Sequence, residues 1–251
     1  MSAPAAAAPS CVLQPGVVAL PHALTWLVQS RALIVADAHF AYEEVIGGTL
    51  PLWSTGEALL RLQSAIERMG ASEVIFLGDI IHGTRMSQGA AGLVVDALAR
   101  LRAACTVTLV AGNHEGRSRG AAVLGATEAW IERDGWRLVH GDDPADTAAR
   151  RIVGHLHPAI ALGGGNSAPV FLASPRLIVA PALTPYSSGL DILSRSCAPA
   201  LRAFGCRPCE FTVVASGESS VYPFGSLTAL KGATLRHGSS RRSSRGRLQG
   251  D

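Results

Sequence analysis

The stretch Ala32-Leu33-Ile34-Val35-Ala36-Asp37-Ala38-His39 joins an apolar, strand-like run directly to an aspartate and a histidine. The same arrangement occurs twice more, where run 74–77 is followed by Gly78-Asp79 and run 107–110 by Gly112-Asn113-His114-Glu115. Short apolar runs bounded by turn residues predict buried strands. Each predicted strand therefore leads into polar side chains that can bind a ligand.

Helix-like patterns separate these three predicted strands. Ser54-Thr55-Gly56-Glu57 has the spacing of a capping box and opens an apolar-periodic pattern that ends near Gly70. Ser87 is positioned to cap a second helix that reaches Ala104. Alternating strands and helices predict parallel strands with right-handed crossovers, and such sheets bind ligands at the carboxyl ends of their strands. The polar residues that follow the three strands fall at those ends.

The second half of the chain contains shorter β-like segments. They cover residues 136–140, 151–153, 170–173, 177–180 and 211–214. Gly163-Gly164-Gly165-Asn166 is predicted to be a turn between two of them. His140 ends the first segment, and His155-Leu156-His157 follows the second. Because side chains alternate along a strand, this pattern places His155 and His157 on one face, and their apolar flank disfavours unpaired structural histidines.

The residues of these blocks carry oxygen or nitrogen atoms that suit transition-metal ions. They are Asp37, His39, Asp79, Asn113, His114, Glu115, His140, His155 and His157. Their order and positions predict one site for a pair of metal ions that cleaves phosphate esters. By contrast, His22, His82 and His237 stand alone in the sequence and are predicted to be ordinary surface or loop histidines.

The composition predicts a compact globular chain. Apolar residues make up 48% and charged residues 16% of the chain, which is unlike a disordered protein. The apolar runs are shorter than a membrane span, and no basic residue precedes an apolar stretch at the N-terminus, which argues against a secretory signal. Five cysteines without a framework spacing favour a reducing cytoplasm. Cys206 and Cys209 have the spacing of half a zinc site, with incidental thiols as the alternative.

Residues 12–231 are predicted to form a single domain, with disordered residues 1–11 before it and a disordered basic tail, 232–251, after it. From Lys231 onward there are six Lys or Arg and one acidic residue. The preceding residues carry 16 basic and 18 acidic side chains, a net charge of −2. Only the tail therefore has the charge expected of a nucleic-acid-binding segment, and a solvated tail without function is the alternative.

The polar blocks, taken in order, resemble those of the calcineurin-like metallophosphoesterases. The family pattern is D-x-H, G-D, G-N-H-[DE], H and G-H-x-H, and the resemblance covers roughly residues 30–190. It implies a single α/β domain built as a four-layer α/β/β/α sandwich. The site would lie at the strand ends of the two-sheet core.

The resemblance also implies a role for each polar residue. One metal ion would be held by Asp37, His39 and His157 and the other by Asn113, His140 and His155, with Asp79 bridging both. The two divalent ions, Mn²⁺ foremost and Fe, Zn or Ni as alternatives, would share a hydroxide that attacks the phosphate. His114 would act on the leaving oxygen as a proton donor or electrostatic stabiliser, and Glu115 would orient His114.

The stretch Ser174-Pro175-Arg176-Leu177-Ile178-Val179-Ala180-Pro181-Ala182 resembles a block of the DNA-ligase-associated branch of this family, which includes archaeal relatives of the SbcD nuclease. The branch implies cleavage of phosphodiester bonds in DNA, with repair proteins such as a ligase or a helicase as partners. Arg176 is either a buried structural arginine or a phosphate ligand. Phe40-Ala41-Tyr42 and Thr184-Pro185-Tyr186 depart from the branch pattern.

Two other functions stay open at this point. A phosphatase or cyclic-nucleotide phosphodiesterase acting on a small molecule fits the net charge of −2 at least as well. A non-catalytic scaffold with the same fold is disfavoured, because His114 and all seven potential ligands are retained. Hydrolysis of an aryl phosphodiester separates an enzyme from a scaffold, and salt-sensitive DNA binding separates a nuclease from a small-molecule enzyme.

Overall fold

The computed structural model describes residues 9–43, 53–81, 87–114, 124–145, 150–184 and 189–234. Its strands form two sheets, and helices cover the outer faces of both. Within the described ranges, no helix has the length and apolar character needed to cross a membrane.

The first sheet begins as an antiparallel meander and continues as parallel strands. Its strands, in spatial and chain order, are β1 (Cys11–Gln14), β2 (Val17–Ala19), β3 (Thr25–Leu27), β4 (Ala32–Ala36), β5 (Glu73–Leu77) and β6 (Thr106–Val110). The last three pair in parallel, with Ala36, Leu77 and Val110 at one level. The predicted parallel arrangement is confirmed, whereas the sequence pattern does not predict β1 to β3.

Helices α1 (Trp53–Met69) and α2 (Gln88–Ala104) connect these parallel strands. Leu62 of α1 and Leu98 of α2 belong to one buried cluster with residues of the sheet. The side chain of Ser87 accepts a hydrogen bond of 3.1 Å from the backbone N–H of Ala90. Ser87 therefore caps α2 as predicted.

The start of α1 differs from the predicted capping box. The helix already begins at Trp53, so Ser54 lies inside it rather than at its N-cap. Instead, the buried carboxylate of Glu43 accepts hydrogen bonds of 3.1 Å from both the backbone N–H and the hydroxyl of Thr55. The Thr55 hydroxyl in turn accepts a bond from the N–H of Ala41. A carboxylate from the preceding loop thus satisfies a helix donor, which no local sequence pattern reveals.

The second sheet has the spatial order β14-β13-β11-β12-β9-β8-β7, with β10 paired to β11. Its strands are β7 (Ile131–Arg133), β8 (Trp136–Val139), β9 (Arg151–Val153), β10 (Ala159–Gly163), β11 (Asn166–Ala173), β12 (Leu177–Val179), β13 (Thr212–Ser216) and β14 (Val221–Ser226). The turn between β10 and β11 is the predicted glycine turn. Strands β8, β9 and β12 run parallel, so β8 and β9 end at the same edge of the sheet.

Alternate residues of the central strands face different layers. Val35 of β4 faces the helices, whereas Ile34 belongs to the cluster between the sheets together with Ile152. On the outer face of the second sheet, Val153 packs in a third cluster with helix α3 (Cys197–Ala203). These layers form the predicted four-layer α/β/β/α sandwich. Helices cover one face of β4 and the second sheet covers the other, so every residue of β4 is buried.

An ion pair joins the two sheets at the edge opposite the carboxyl ends of β4, β5 and β6. Glu73 is the first residue of β5, and Arg133 is the last residue of β7. The Arg133 guanidinium donates to both carboxylate oxygens of Glu73, over 2.9 Å and 3.0 Å. Glu73 also accepts a hydrogen bond from the hydroxyl of Thr108. The fork geometry fixes how the sheets stack.

The structure describes regular elements at both ends of the predicted domain 12–231. Strand β1 begins at Cys11, one residue before that domain, and residues 227–234 are helical, three residues past its end. Leu227 anchors this last helix in the core. Residues 1–8 and 235–251 lie outside the described residues, as do His82 and His237.

Candidate metal centre

The polar residues singled out in the sequence follow strand ends from both sheets. Asp37 and Asp79 come directly after β4 and after Gly78 at the end of β5, while Asn113 follows β6. On the second sheet, His140 comes directly after β8, and His155 lies two residues beyond β9. Because the two sheets stack face to face, their ends meet and create one polar site.

The first group of potential ligands consists of Asp37, His39 and His157. One potential ligand atom from each lies within 4.8 Å of the others. Nε2 of His157 is 3.2 Å from Oδ1 of Asp37, and the rings of His39 and His157 meet edge to face with centroids 5.2 Å apart. Asp37 and His39 are buried, so their polar atoms face the site rather than solvent.

The second group consists of Asp79, His140 and His155, again with one potential ligand atom of each within 4.8 Å of the others. Oδ1 of Asn113 joins this group, 2.9 Å from Nε2 of His140. Nδ1 of His155 lies 3.2 Å from the same Nε2. Four different side chains therefore converge on one point.

His140 connects the two groups. Its Nδ1 lies 3.6 Å from Oδ1 of Asp37, and its Nε2 lies 3.4 Å from Oδ2 of Asp79. The same Nδ1 is 3.1 Å from the backbone oxygen of Leu77, which holds the ring in position. The groups thus share one centre rather than forming two separate sites.

Backbone strain is concentrated in this centre. Five of the candidate ligands have a left-handed backbone with φ between 43° and 59°: Asp37, His39, Asp79, His155 and His157. Such a conformation costs about 1 kcal/mol or more for a residue with a side chain, and it persists where surrounding structure enforces it. Strain of this kind clusters at functional sites.

The backbone also corrects one sequence argument. The pattern predicts that His155 and His157 share a face because they alternate along a strand. In the structure β9 ends at Val153, and both histidines lie in the loop beyond it with positive φ. Two left-handed residues, rather than strand pleating, bring both rings to the centre.

Two positions in the motifs require glycine, because another part of the chain lies too close to leave room for a side chain. A Cβ atom on Gly154 would collide with Oδ2 of Asp37, and one on Gly112 would collide with the backbone nitrogen and Oδ1 of Asp79. Each glycine therefore allows the loop of one strand to reach the carboxylate that follows another.

The charges in the centre depend on one another. Burial alone would raise the pKa of the Asp79 carboxyl, but the hydrogen bond and charge of His140, with the N–H of His114, lower it to about 2. Burial opposes protonation of His140, yet the hydrogen bond to Asp79 and the charges of Asp37 and Asp79 raise its pKa to about 9. Burial and the neighbouring His140 lower the pKa of His155. Asp79 and His140 therefore stabilise each other's charged forms.

This arrangement fits metal ions. Oδ1 of Asp37 is buried, and none of the described residues donates a hydrogen bond to it. An unsatisfied buried carboxylate oxygen is costly unless a cation or a donor completes it. The donor set of carboxylates, imidazoles and one amide suits Mn, Fe or Zn and needs no thiolate. Each of the two ligand groups could therefore hold one ion.

His114 lies at the open side of the centre. Its side chain is 42% exposed, its Nε2 is 3.8 Å from Oδ2 of Asp79, and its backbone N–H donates to Oδ1 of Asp79 over 3.0 Å. Its ring lies edge to face with His39, with centroids 5.8 Å apart. Glu115, predicted to orient His114, lies outside the described residues.

Several other predictions have different outcomes. Arg176 is exposed and precedes β12 at the end away from the centre, so its interpretation as a buried structural arginine is wrong. Among the described arginines, Arg151 is buried and donates to the backbone oxygen of Phe204. Cys206 and Cys209 belong to neither of the ligand groups found among the described residues.

One contact near the centre has no clear sequence signal. The ring of Tyr42 lies 6.1 Å from that of His39, in the loop that Thr55 and Glu43 hold. Tyr42 was noted only as a departure from a branch pattern. Its position depends on the hydrogen bonds between that loop and α1, which connect residues 12 to 14 positions apart.

Comparison with known proteins places the chain in a family. The model of the calcineurin-like phosphoesterases matches residues 30–172, a range that contains all seven candidate ligands. Among solved structures, nuclease MPE of Pseudomonas putida has a TM-score of 0.64 and 22% identity, covering 83% of this chain and 94% of that one. The phosphoesterase Yfce of E. coli has a TM-score of 0.40 and 18% identity, covering 76% and 95%. No curated protein matches the chain significantly. Because the family model covers more than half of its residues, this chain belongs to the calcineurin-like phosphoesterases, hydrolases that act on phosphate esters.

Proposed function

We propose that the chain is a two-metal phosphodiesterase that cleaves nucleic acid. The observation that carries this proposal is the convergence of two ligand groups at the meeting ends of the two sheets, where His140 of one group also lies close to Asp37 of the other. A pair of cation sites beside a partly exposed histidine is the arrangement that phosphoryl transfer requires. A scaffold would have no need to keep five strained residues in place.

The side chains divide into two sets of ligands. One ion would be held by Asp37, His39 and His157 and the other by Asn113, His140 and His155, with Asp79 between them. When bound, two divalent ions, Mn²⁺ in this proposal, supply positive charge that neutralises the phosphate and lowers the pKa of water. The carbonyl of Leu77 holds Nδ1 of His140, which directs Nε2 toward the centre.

His114 is the residue proposed to assist the leaving oxygen. Its backbone N–H is bound to Asp79, which fixes the residue, while its ring stays accessible to substrate. From that position a ring nitrogen donates a proton, or a hydrogen bond, to the departing oxygen. Glu115 is proposed to orient His114, on the sequence evidence alone.

DNA is the proposed polymer. Nuclease MPE, whose fold this chain shares, is named as a nuclease. The segment from Lys231 onward carries six Lys or Arg and one acidic residue, the charge that a phosphate backbone attracts. A role in DNA repair in the cytoplasm, beside a ligase or a helicase, is part of this proposal.

A panel of substrates tests the proposal with protein loaded with Mn²⁺. It contains an aryl phosphomonoester, a bis-aryl phosphodiester, single-stranded DNA and double-stranded DNA. We expect turnover of the diester and of DNA, and loss of both when the metal is removed. Full metal occupancy without turnover of any substrate would show a scaffold instead.

A small-molecule phosphodiesterase is the second candidate. The observation in its favour is the net charge of −2 on residues 1–230. This enzyme would hydrolyse aryl diesters or cyclic nucleotides, but it would not bind DNA in a salt-dependent way. A steep loss of DNA affinity between low and moderate salt supports the nuclease and excludes this candidate.

A further inference from the structure

A cleft of about 280 Å³ opens directly beside the centre. His157 and Pro158 form the end of the cleft that touches the centre. Ala182, in its floor, bridges to Ala36, the residue before Asp37, so the floor is tied to the same strand end. A group attached to a phosphate in the centre therefore has a cavity to enter.

The two walls of the cleft come from rigid elements. Ala58 and Arg61 of α1 form one wall. The other wall is one face of the β10–β11 hairpin, where Ala159 pairs with Pro169 and Ser167 lies on the same face. Ala58, Ala159 and Pro169 supply the apolar part of these walls.

Hydrogen bonds between protein groups hold the floor of the cleft in place. The hydroxyl of Ser216 accepts from the N–H of Ala23 over 2.8 Å and donates to the backbone oxygen of Leu20 over 3.1 Å. Ser216 and Ala23 both line the cleft and are both buried. The cavity is therefore preformed rather than dependent on a ligand.

The rim supplies polar groups. Burial, and next to it the charges of Arg61 and Arg68, lower the pKa of His22, with Glu218 opposing them. His22 is therefore neutral at neutral pH, when its ring offers one donor and one acceptor. Among the described residues that line the cleft, Arg61 is the only Lys or Arg. Its ion pair with Glu57 is exposed and weak, so Arg61 is able to turn toward an anion at little cost.

The cleft opens on one side of the metal centre, and that side indicates which part of the substrate the cleft would hold. His157 lines the cleft, whereas His114 does not. His39 stands between them, with ring centroids 5.2 Å from His157 and 5.8 Å from His114. If His114 assists the leaving oxygen, as in the proposed function, the cleft holds the group that stays on the phosphate.

We infer that this cleft binds a single unpaired nucleoside on the retained side of the scissile phosphate. This inference rests on the proposed function. Flat apolar walls fit the faces of a base, and the polar rim meets its edge and sugar hydroxyl. The volume is at the lower end for ligand pockets and admits one nucleoside, but not a base pair. Arg61 binds the next phosphate along the strand.

Three esters with one leaving group test the occupant. They are the p-nitrophenyl phosphate diesters of methanol, of the thymidine 5′-hydroxyl and of the thymidine 3′-hydroxyl. We expect kcat/KM of the Mn²⁺-loaded protein for one thymidine ester to exceed that for the methyl ester by about tenfold or more. Equal values for all three esters would overturn the inference while leaving the proposed function intact. Failure to hydrolyse even the methyl ester would count against the proposed function itself.

Two substitutions that fill the cleft from opposite walls test whether the preference for a thymidine ester arises in the cleft. Ser167→Trp changes an exposed residue and should not affect folding, and Ala58→Trp fills the cleft from α1. Both should abolish the thymidine preference while hydrolysis of the methyl ester stays nearly unchanged. Calorimetry with thymidine 5′-monophosphate should show weaker binding in parallel. A preference that survives both substitutions would place the nucleoside elsewhere.

Arg61 has a matched control on the same helix. Arg68 is also exposed, but it does not line the cleft. Thymidine 3′,5′-bisphosphate should bind more tightly than thymidine 5′-monophosphate, and Arg61→Ala should remove that gain whereas Arg68→Ala should not. Equal effects of the two substitutions would show general electrostatic attraction and overturn the role of Arg61.

Discussion

The backbone N–H of His155 donates a hydrogen bond of 2.8 Å to Oδ2 of Asp37, a residue 118 positions earlier in the chain. The bond joins the end of β9 in one sheet to the end of β4 in the other. The N–H of His114 makes the equivalent bond, 3.0 Å long, to Oδ1 of Asp79. Each carboxylate thus uses one oxygen to fix a neighbouring loop and directs the other toward the centre.

Replacing Gly154 should loosen this junction. A Cβ atom in Gly154→Ala would collide with Oδ2 of Asp37 and displace the loop that carries His155 and His157. We expect Mn²⁺ affinity, measured by calorimetry, to fall about 10–100-fold. Gly92→Ala in α2 is the control, because its Cβ would meet nothing within 4 Å. Identical metal affinity in the two variants would show that the junction does not position ligands.

Asp79→Asn should weaken binding of both metal ions. Asp79 lies within the second ligand group and also 3.8 Å from His114, and we propose that it bridges the two ions. An amide keeps the size of the side chain but loses the negative charge that attracts cations. Metal analysis after dialysis should show less than full occupancy at both positions, with turnover abolished. Full occupancy of both would rule out the bridging role.

His114→Ala should retain both metal ions and lose turnover by about 10²–10⁴-fold. The substitution keeps the backbone N–H that binds Asp79, so it removes only the ring. Substrates with poor leaving groups should lose more than activated aryl esters, since only the former need a proton. Equal losses for both classes would favour an electrostatic role, and loss of metal would show that His114 is a ligand.

Arg133→Met should destabilise the fold without changing the chemistry. Glu73 is buried, and the substitution leaves its carboxylate without the charged partner that joins the sheets. We expect a loss of about 2 kcal/mol in the free energy of unfolding, below that of a fully buried pair because Arg133 is 36% exposed. Arg207→Met, which breaks an exposed pair with Glu210, should leave the free energy of unfolding nearly unchanged. Urea unfolding measures both, and equal small losses would show that the pair contributes little.

Deleting residues 235–251 should affect DNA but not small substrates. The deletion removes Arg236, Arg241, Arg242, Arg245 and Arg247 and spares the helical residues 227–234. DNA affinity should fall and its salt dependence should flatten, because fewer counterions are released. Hydrolysis of an aryl diester should stay the same, since every proposed ligand lies before the tail. Unchanged DNA binding would leave the tail without a function in binding.

The sequence predicted secondary structure correctly where a short segment carried a clear strand or helix pattern of its own. Strands β4 to β6 and the Ser87 cap of α2 follow from short apolar runs and one capping residue. The meander β1 to β3 was not predicted, because its strands are defined by antiparallel pairing with one another and with β4 rather than by a continuous apolar run. The start of α1 was predicted incorrectly, because the carboxylate that binds its first turn belongs to Glu43, which lies in a loop and not in the helix.

The sequence by itself determined which residues are chemically equipped for the centre and which strands they follow. It did so because motif residues and apolar runs are properties of short stretches of chain. Only the tertiary structure decided how those residues meet. The left-handed backbone at His155 and His157 and the bond from His155 to Asp37 occur where the two sheets stack. The cleft beside His157 has the same origin, because its walls come from α1 and from a hairpin about a hundred residues later. Contacts between distant segments carry no local pattern, so packing alone defines the space that a substrate would enter.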